Sequence, residues 1–70
     1  MQAGELKEGD WFRWSRDGRT CERRAGGVMV IGGNDCVPVQ PLQPTPNQPG
    51  AYIPVIDEVT LLVRKEVRLN

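Results

Sequence analysis

The chain has no histidine and a single serine, Ser15. Without an imidazole nothing stands ready near neutral pH to take the proton of that hydroxyl, so nucleophile-plus-histidine chemistry is excluded. Two cysteines, Cys21 and Cys36, are too few ligands for a zinc site, and no metal is expected. The adjacent acids Asp57 and Glu58 point to opposite faces of an extended chain and make no catalytic pair. Gly26-Gly27 and Gly32-Gly33 lack the lysine and the strand-to-helix setting of a phosphate-cradling loop. The expectation is a protein that is not an enzyme and holds no cofactor.

Aromatic residues are also scarce: two Trp, one Tyr and one Phe in 70 residues, with 39% of the chain apolar. That is enough for one thin core and a single domain spanning residues 1–70, near the lower limit at which a core alone holds a fold. No apolar run is long enough to cross a bilayer, the longest being of the size of Val28 to Ile31, and the N-terminal ten residues lack the apolar centre of a signal peptide. A cytoplasmic location is expected, with Cys21 and Cys36 reduced and packed as small hydrophobes. Charge of one sign is in no excess, nine Lys and Arg facing nine Asp and Glu. Bulk electrostatic coating of nucleic acid is thereby disfavoured.

What is present is concentrated in W-F-R-W-S-R-D-G-R-T-C-E-R-R, Trp11 to Arg24. This stretch holds both tryptophans, the phenylalanine and five of the nine basic residues, and Asp17-Gly18 is a strong signal for a two-residue type I′ hairpin. With strands at Trp11 to Ser15 and Thr20 to Arg24, such a turn sets Trp14 opposite Cys21, Arg13 opposite Glu22 and Trp11 opposite Arg24. Phe12, Trp14 and Cys21 then face the core, with Arg16, Arg19 and Arg23 at its rim. Trp11, Arg13 and Arg24 face outward, an indole beside guanidinium groups suited to a planar or anionic partner.

Elsewhere, Glu5 to Asp10 reads as a lead-in turn with Leu6 inward and Gly9 supplying a bend. Gly26-Gly27 breaks or bulges the second strand, Val28 to Ile31 forms a third, and Gly32-Gly33-Asn34-Asp35 is a turn. Cys36 to Leu42 reads as an edge strand, because Pro38 and Pro41 cannot donate to a ladder. Residues 41–54 carry five of the six prolines and read as a stiff loop pinned by Tyr52 and Ile53, with a mobile flap as the competing reading; the P-x-x-P spacings Pro41/Pro44 and Pro46/Pro49 leave open a ligand for an aromatic groove. From Val59 alternate positions are apolar, which predicts a strand bent or broken near Arg64-Lys65, with a helix after Asp57 as the competing reading.

The opening L-K-E-G-D followed by Trp11-Phe12, namely Leu6, Lys7, Gly9, Asp10, Trp11 and Phe12, resembles that of SH3-like small β-barrels, with residues 53–63 as a closing region. The resemblance implies an all-β, five-stranded, partly open barrel. The size and self-contained fold are also similar to accessory proteins of phages and other mobile elements. The functional expectation is a binding module for a protein partner or a second copy of the chain, a homodimer included. Its contact residues are expected among Trp11, Arg13, Arg16, Arg19, Arg23, Arg24 and Tyr52; nucleic-acid binding by the basic hairpin is the alternative.

Overall fold

The computed structural model describes residues 1–42 and 50–64. They form one 3-10 turn (Ala3–Glu5) and six antiparallel strands: β1 (Trp11–Trp14), β2 (Thr20–Arg23), β3 (Met29–Ile31), β4 (Asn34–Pro41), β5 (Ala51–Pro54) and β6 (Val59–Val63). The all-β class holds, with six strands in place of five. The additional strand is β5, in a segment whose proline count predicts a loop throughout; only Pro54 falls within it, at its last position. Strands run β3-β4-β2-β1-β6, with β5 paired to β4, so the sheet is open. Among the described residues no helix is long and apolar enough to cross a membrane.

The proline-bearing segment does not form an edge. β4 is central, paired with β2 and β3 along one side and with β5 along the other. Residues alternate in the side to which they present their backbone groups. The Pro38 carbonyl accepts from Arg24 N at 3.0 Å, so even positions face β2 and β3, whereas the Asp35 carbonyl accepts from Val55 N at 2.9 Å on the β5 side. The Pro38 nitrogen therefore faces the Arg24 carbonyl and leaves it without a ladder donor, and the Arg23 guanidinium supplies one from Nη1. Past this point the ladder breaks. Between the pairs Arg23↔Val39 and Met29↔Cys36 the β2–β3 side holds three residues more than β4, which bulge outward with Gly26 at φ +129. Arg23 Nη2 donates to the Gly26 carbonyl at 3.0 Å and fastens the bulge. A central proline is thus accommodated by interrupting its neighbour.

The first hairpin has a longer loop than the two residues expected. Trp14 N donates to Arg19 O at 3.1 Å and Gly18 N to Trp14 O at 2.9 Å, enclosing Ser15 to Gly18. Only Gly18 takes positive φ (+70), whereas a type I′ turn demands it of Asp17 as well. Asp17 Oδ1 instead accepts Arg19 N at 2.9 Å, an Asx-type closure. The register moves by two, to Phe12↔Cys21 and Trp11↔Glu22. Because side chains alternate with period two, each keeps its expected face. The two-residue type I′ geometry occurs at Gly32-Gly33 instead, with φ +57 and +81, between the paired Ile31 and Asn34.

The core comprises Ala3, Leu6, Phe12, Cys21, Val37, Val39, Ile53 and Val59, with Trp14, Val55 and Leu61 packed against it. β6 is the expected strand; what was expected beyond Arg64, and P-x-x-P partners Pro44, Pro46 and Pro49, lies outside the described residues. The L-K-E-G-D turn is fixed by Asp10, whose side chain is fully buried. It accepts Lys7 N at 2.8 Å and the Arg64 guanidinium through Nε at 3.2 Å and Nη2 at 3.0 Å. Gly9 N donates to Arg23 O at 2.8 Å and Arg23 N to Asp10 O at 2.9 Å, docking the turn on β2.

Burial alone would raise the Asp10 pKa, but the Arg64 and Lys7 hydrogen bonds and both positive charges outweigh it and hold the carboxyl below its ordinary 3.8. A carboxylate with a depressed folded pKa contributes stability that is complete above the unfolded value and lost as pH falls through the folded one. Asp10→Ala is expected to cost about 1–3 kcal/mol at neutral pH, read from urea midpoints. The gap between variant and wild type should narrow below about pH 4, as the wild-type carboxylate is protonated.

Candidate functional site

Register assigns Trp11, Arg13, Glu22, Gln40 and Tyr52 to the face of the sheet opposite Phe12: Trp11 pairs Glu22, Glu22 pairs Gln40, and Pro38, two along from Gln40, pairs Tyr52. Arg24, bonded to Pro38, shares this face. Trp11 is half-buried, with Nε1 donating to Glu22 Oε2 at 2.9 Å, whereas Arg13, Arg24 and Tyr52 are exposed. A Cβ built on Gly50 would lie 2.8 Å from Arg24 Nη1, so the absent side chain leaves the seat that this guanidinium occupies. An open cleft of roughly 300 Å3 is lined by Glu22, the acceptor of the Trp11 indole, with Gln40, Pro41 and Leu42.

The remaining candidate arginines lie apart from that face. Arg16 Nη2 bonds the buried Asp57 Oδ1 at 2.9 Å, and its guanidinium carbon stands 5.7 Å from the centre of the Trp14 ring. Trp14 Nε1 donates to Asp57 Oδ2 at 2.8 Å, so one carboxylate ties the hairpin loop to the β5–β6 turn. Arg19 Nε lies 3.7 Å from Asp17 Oδ2 within the loop. Arg23 serves the bulge, as described. The structure places Trp11, Arg13, Arg24 and Tyr52 on one face of the sheet, and distributes Arg16, Arg19 and Arg23 among loop and bulge.

The strand expected at Val28 to Ile31 is present as β3, but its exposure is a feature that sequence reasoning passed over. Val28, Met29, Val30 and Ile31 are 59%, 48%, 67% and 43% exposed, four consecutive large apolar residues standing in water. The signal was available: residues 25–34 carry no charge, in a chain where 26% of residues do. The other edges are engaged at one end each. β5 ends at Pro54, and beyond it Gly4 N donates to Val55 O at 2.9 Å; Val59 at the start of β6 donates to Met1 O at 2.8 Å, beside the Gln2↔Glu58 bridge. β3 has no proline, no charge and no covering segment among the described residues.

The cysteines offer little chemistry. Cys21 lies on the Phe12 face; Cys36, five residues before Cys21's partner Pro41, lies on the other. Burial pushes the Cys21 thiol up, and the Asp17 charge adds to this against Arg19. Among the described residues no three His, Cys, Asp or Glu side chains gather to hold a metal. Comparison with family models, with curated proteins and with solved structures found no match.

Asp57→Ala removes the acceptor of the part-buried Trp14 indole N–H and releases the exposed Arg16 guanidinium to water, and is expected to cost about 1–3 kcal/mol in chemical denaturation. Arg13→Ala, on the open face, should stay within about 0.5 kcal/mol of wild type.

Proposed function

We propose that this chain is a non-catalytic binding module that mediates protein–protein interaction or self-assembly, with β3 as its contact element. The observation that carries this reading is the exposed Val28–Ile31 run on an edge without any blunting device. Exposed edge backbone pairs with another strand wherever one is offered, and apolar side chains add area to that pairing. The fold is read with it as a partly open SH3-like barrel. In support, the L-K-E-G-D turn leads into β1, and the N-terminal segment bonds to the β5–β6 turn through Ala3 N to Asp57 O at 2.8 Å. A cytoplasmic setting, where both thiols stay reduced, belongs to the same reading.

The test is a photo-crosslinking amino acid placed at position 30 and, as a control, at position 56, where Ile56 is 69% exposed on the β5–β6 turn. Crosslinks to protein from position 30 and not from position 56 are expected in cells. Crosslinks absent at position 30, or equal at both, would overturn the reading.

A second reading, single-stranded nucleic-acid binding, is favoured by the shared face of Trp11, Arg13, Arg24 and Tyr52. With Arg13 and Arg24 as the cations on that face among the described residues, the log–log salt slope for a single strand should be about −1.4, at about −0.7 per phosphate. Fluorescence anisotropy across a salt series measures it, and no binding at low salt removes this reading.

A further inference from the structure

We infer that the occupant of the β3 edge is β3 of a second copy of this chain, paired antiparallel about a two-fold axis; this rests on the contact reading above and names its partner. Met29 and Ile31 pair with Cys36 and Asn34 on the β4 side that also receives β2, so their backbone groups point inward. Alternation turns the N–H and C=O of Val28 and Val30 outward. Setting Val28 opposite Val30 of the second copy satisfies every one of these outward groups and brings Met29 against Met29 across the axis. A shift of one residue would set outward groups against inward ones, and a shift of two, with Val30 opposite Val30, would set Val28 against the turn residue Gly32, so only this register pairs both outward residues within the run.

Symmetry selects the antiparallel direction: a two-fold axis normal to the sheet relates two copies of one edge strand antiparallel and keeps each side chain on its own face. The run 25–34 is uncharged; the nearest acid, exposed Asp35, stands level with Val30 on β4 and on the face opposite Arg24, so no charge meets its like across the axis. The neutral run asks for an equally neutral partner, which the chain itself supplies. Because pairing is isologous, each copy uses up its own β3 edge and assembly closes at two copies.

The exposed area of four side chains is roughly half of the ~800 Å2 per partner that a stable interface buries. The dimer is therefore weak: monomer should dominate at about 10 µM and dimer at about 1 mM. Sedimentation velocity over that range should show the wild-type coefficient rising from monomer to dimer. Val30→Lys should remain monomeric throughout, and Ile56→Lys should follow wild type. As a reading free of mutation, amide exchange at Val30 should slow at the high concentration. A wild-type chain monomeric at about 1 mM, a Val30→Lys dimer as tight as wild type, or exchange at Val30 indifferent to concentration would each overturn the self-pairing. If the chain stays monomeric while position 30 crosslinks to another protein, the contact surface stands and the second copy is excluded. No crosslink at position 30 removes the surface itself.

Discussion

The constraint on which the rest of this structure depends is the placement of a residue without a backbone donor in the middle of the central strand. β4 carries pairing to three neighbours and buries four residues in succession, Cys36 to Val39, so both of its faces are covered. Pro38 sits among them. With no N–H to give, it ends the continuous ladder at Arg24, and the three surplus residues of the facing strand are expelled as a bulge. β2 and β3 become separate strands for that reason. β3 is then carried beyond the core cluster, none of whose members it supplies, and its apolar side chains remain in water. The exposed finger thus follows from the hydrogen-bond accounting of one proline.

The electrostatics follow a similar logic of internal demand. A thin fold with an open sheet has turns to fasten, and its buried acids Asp10 and Asp57 each take an arginine, Arg64 and Arg16 respectively. A third guanidinium, Arg23, is spent on bulge carbonyls. What looks like a basic hairpin in the one-dimensional string is mostly a set of fasteners, each aimed at an acceptor more than ten positions away or around a local kink. Among the described residues, Arg13 and Arg24 are the arginines of that hairpin left on the broad face with Trp11 and Tyr52.

Which of these features the string of residues announces depends on whether their cause is local. Gly32-Gly33 is legible because positive φ at two successive positions is cheap only for glycine. Facing in the first hairpin is legible although its loop length is not, since an error of two residues in register returns every side chain to its own side. The inward Leu6 and the bend at Gly9 (φ +87) are likewise local. The edge assignment of the Cys36–Leu42 segment fails for an instructive reason: it assumes that a proline must lie at a margin, while here the neighbouring strand yields instead. β5 is hidden because composition over residues 41–54 averages a strand with its proline-rich surroundings. The Asp10–Arg64 and Trp14–Asp57 pairs span 54 and 43 positions and leave no periodic trace. Within the candidate site, the aromatic and cationic members of the open face are visible from alternation, whereas the bare edge needs the whole sheet, since an edge is defined by what fails to pair with it.

Rigidity decides whether so small a contact element is usable. Association costs translational freedom and the ordering of whatever must be held in place, and a mobile apolar loop of four residues would surrender most of its gain to ordering. β3 is held at both ends: its tip by a two-residue turn whose glycines sit in their preferred region, its base by Arg23 reaching the Arg24 and Gly26 carbonyls. Behind it stands buried Cys36, and Gly26 approaches Pro38 so closely that a Cβ there would touch the ring at 3.4 Å. The element is therefore fixed before any partner arrives, and its outward backbone groups already lie in the strand geometry that pairing needs. A preformed edge can bind through modest area because little conformational freedom remains for binding to remove.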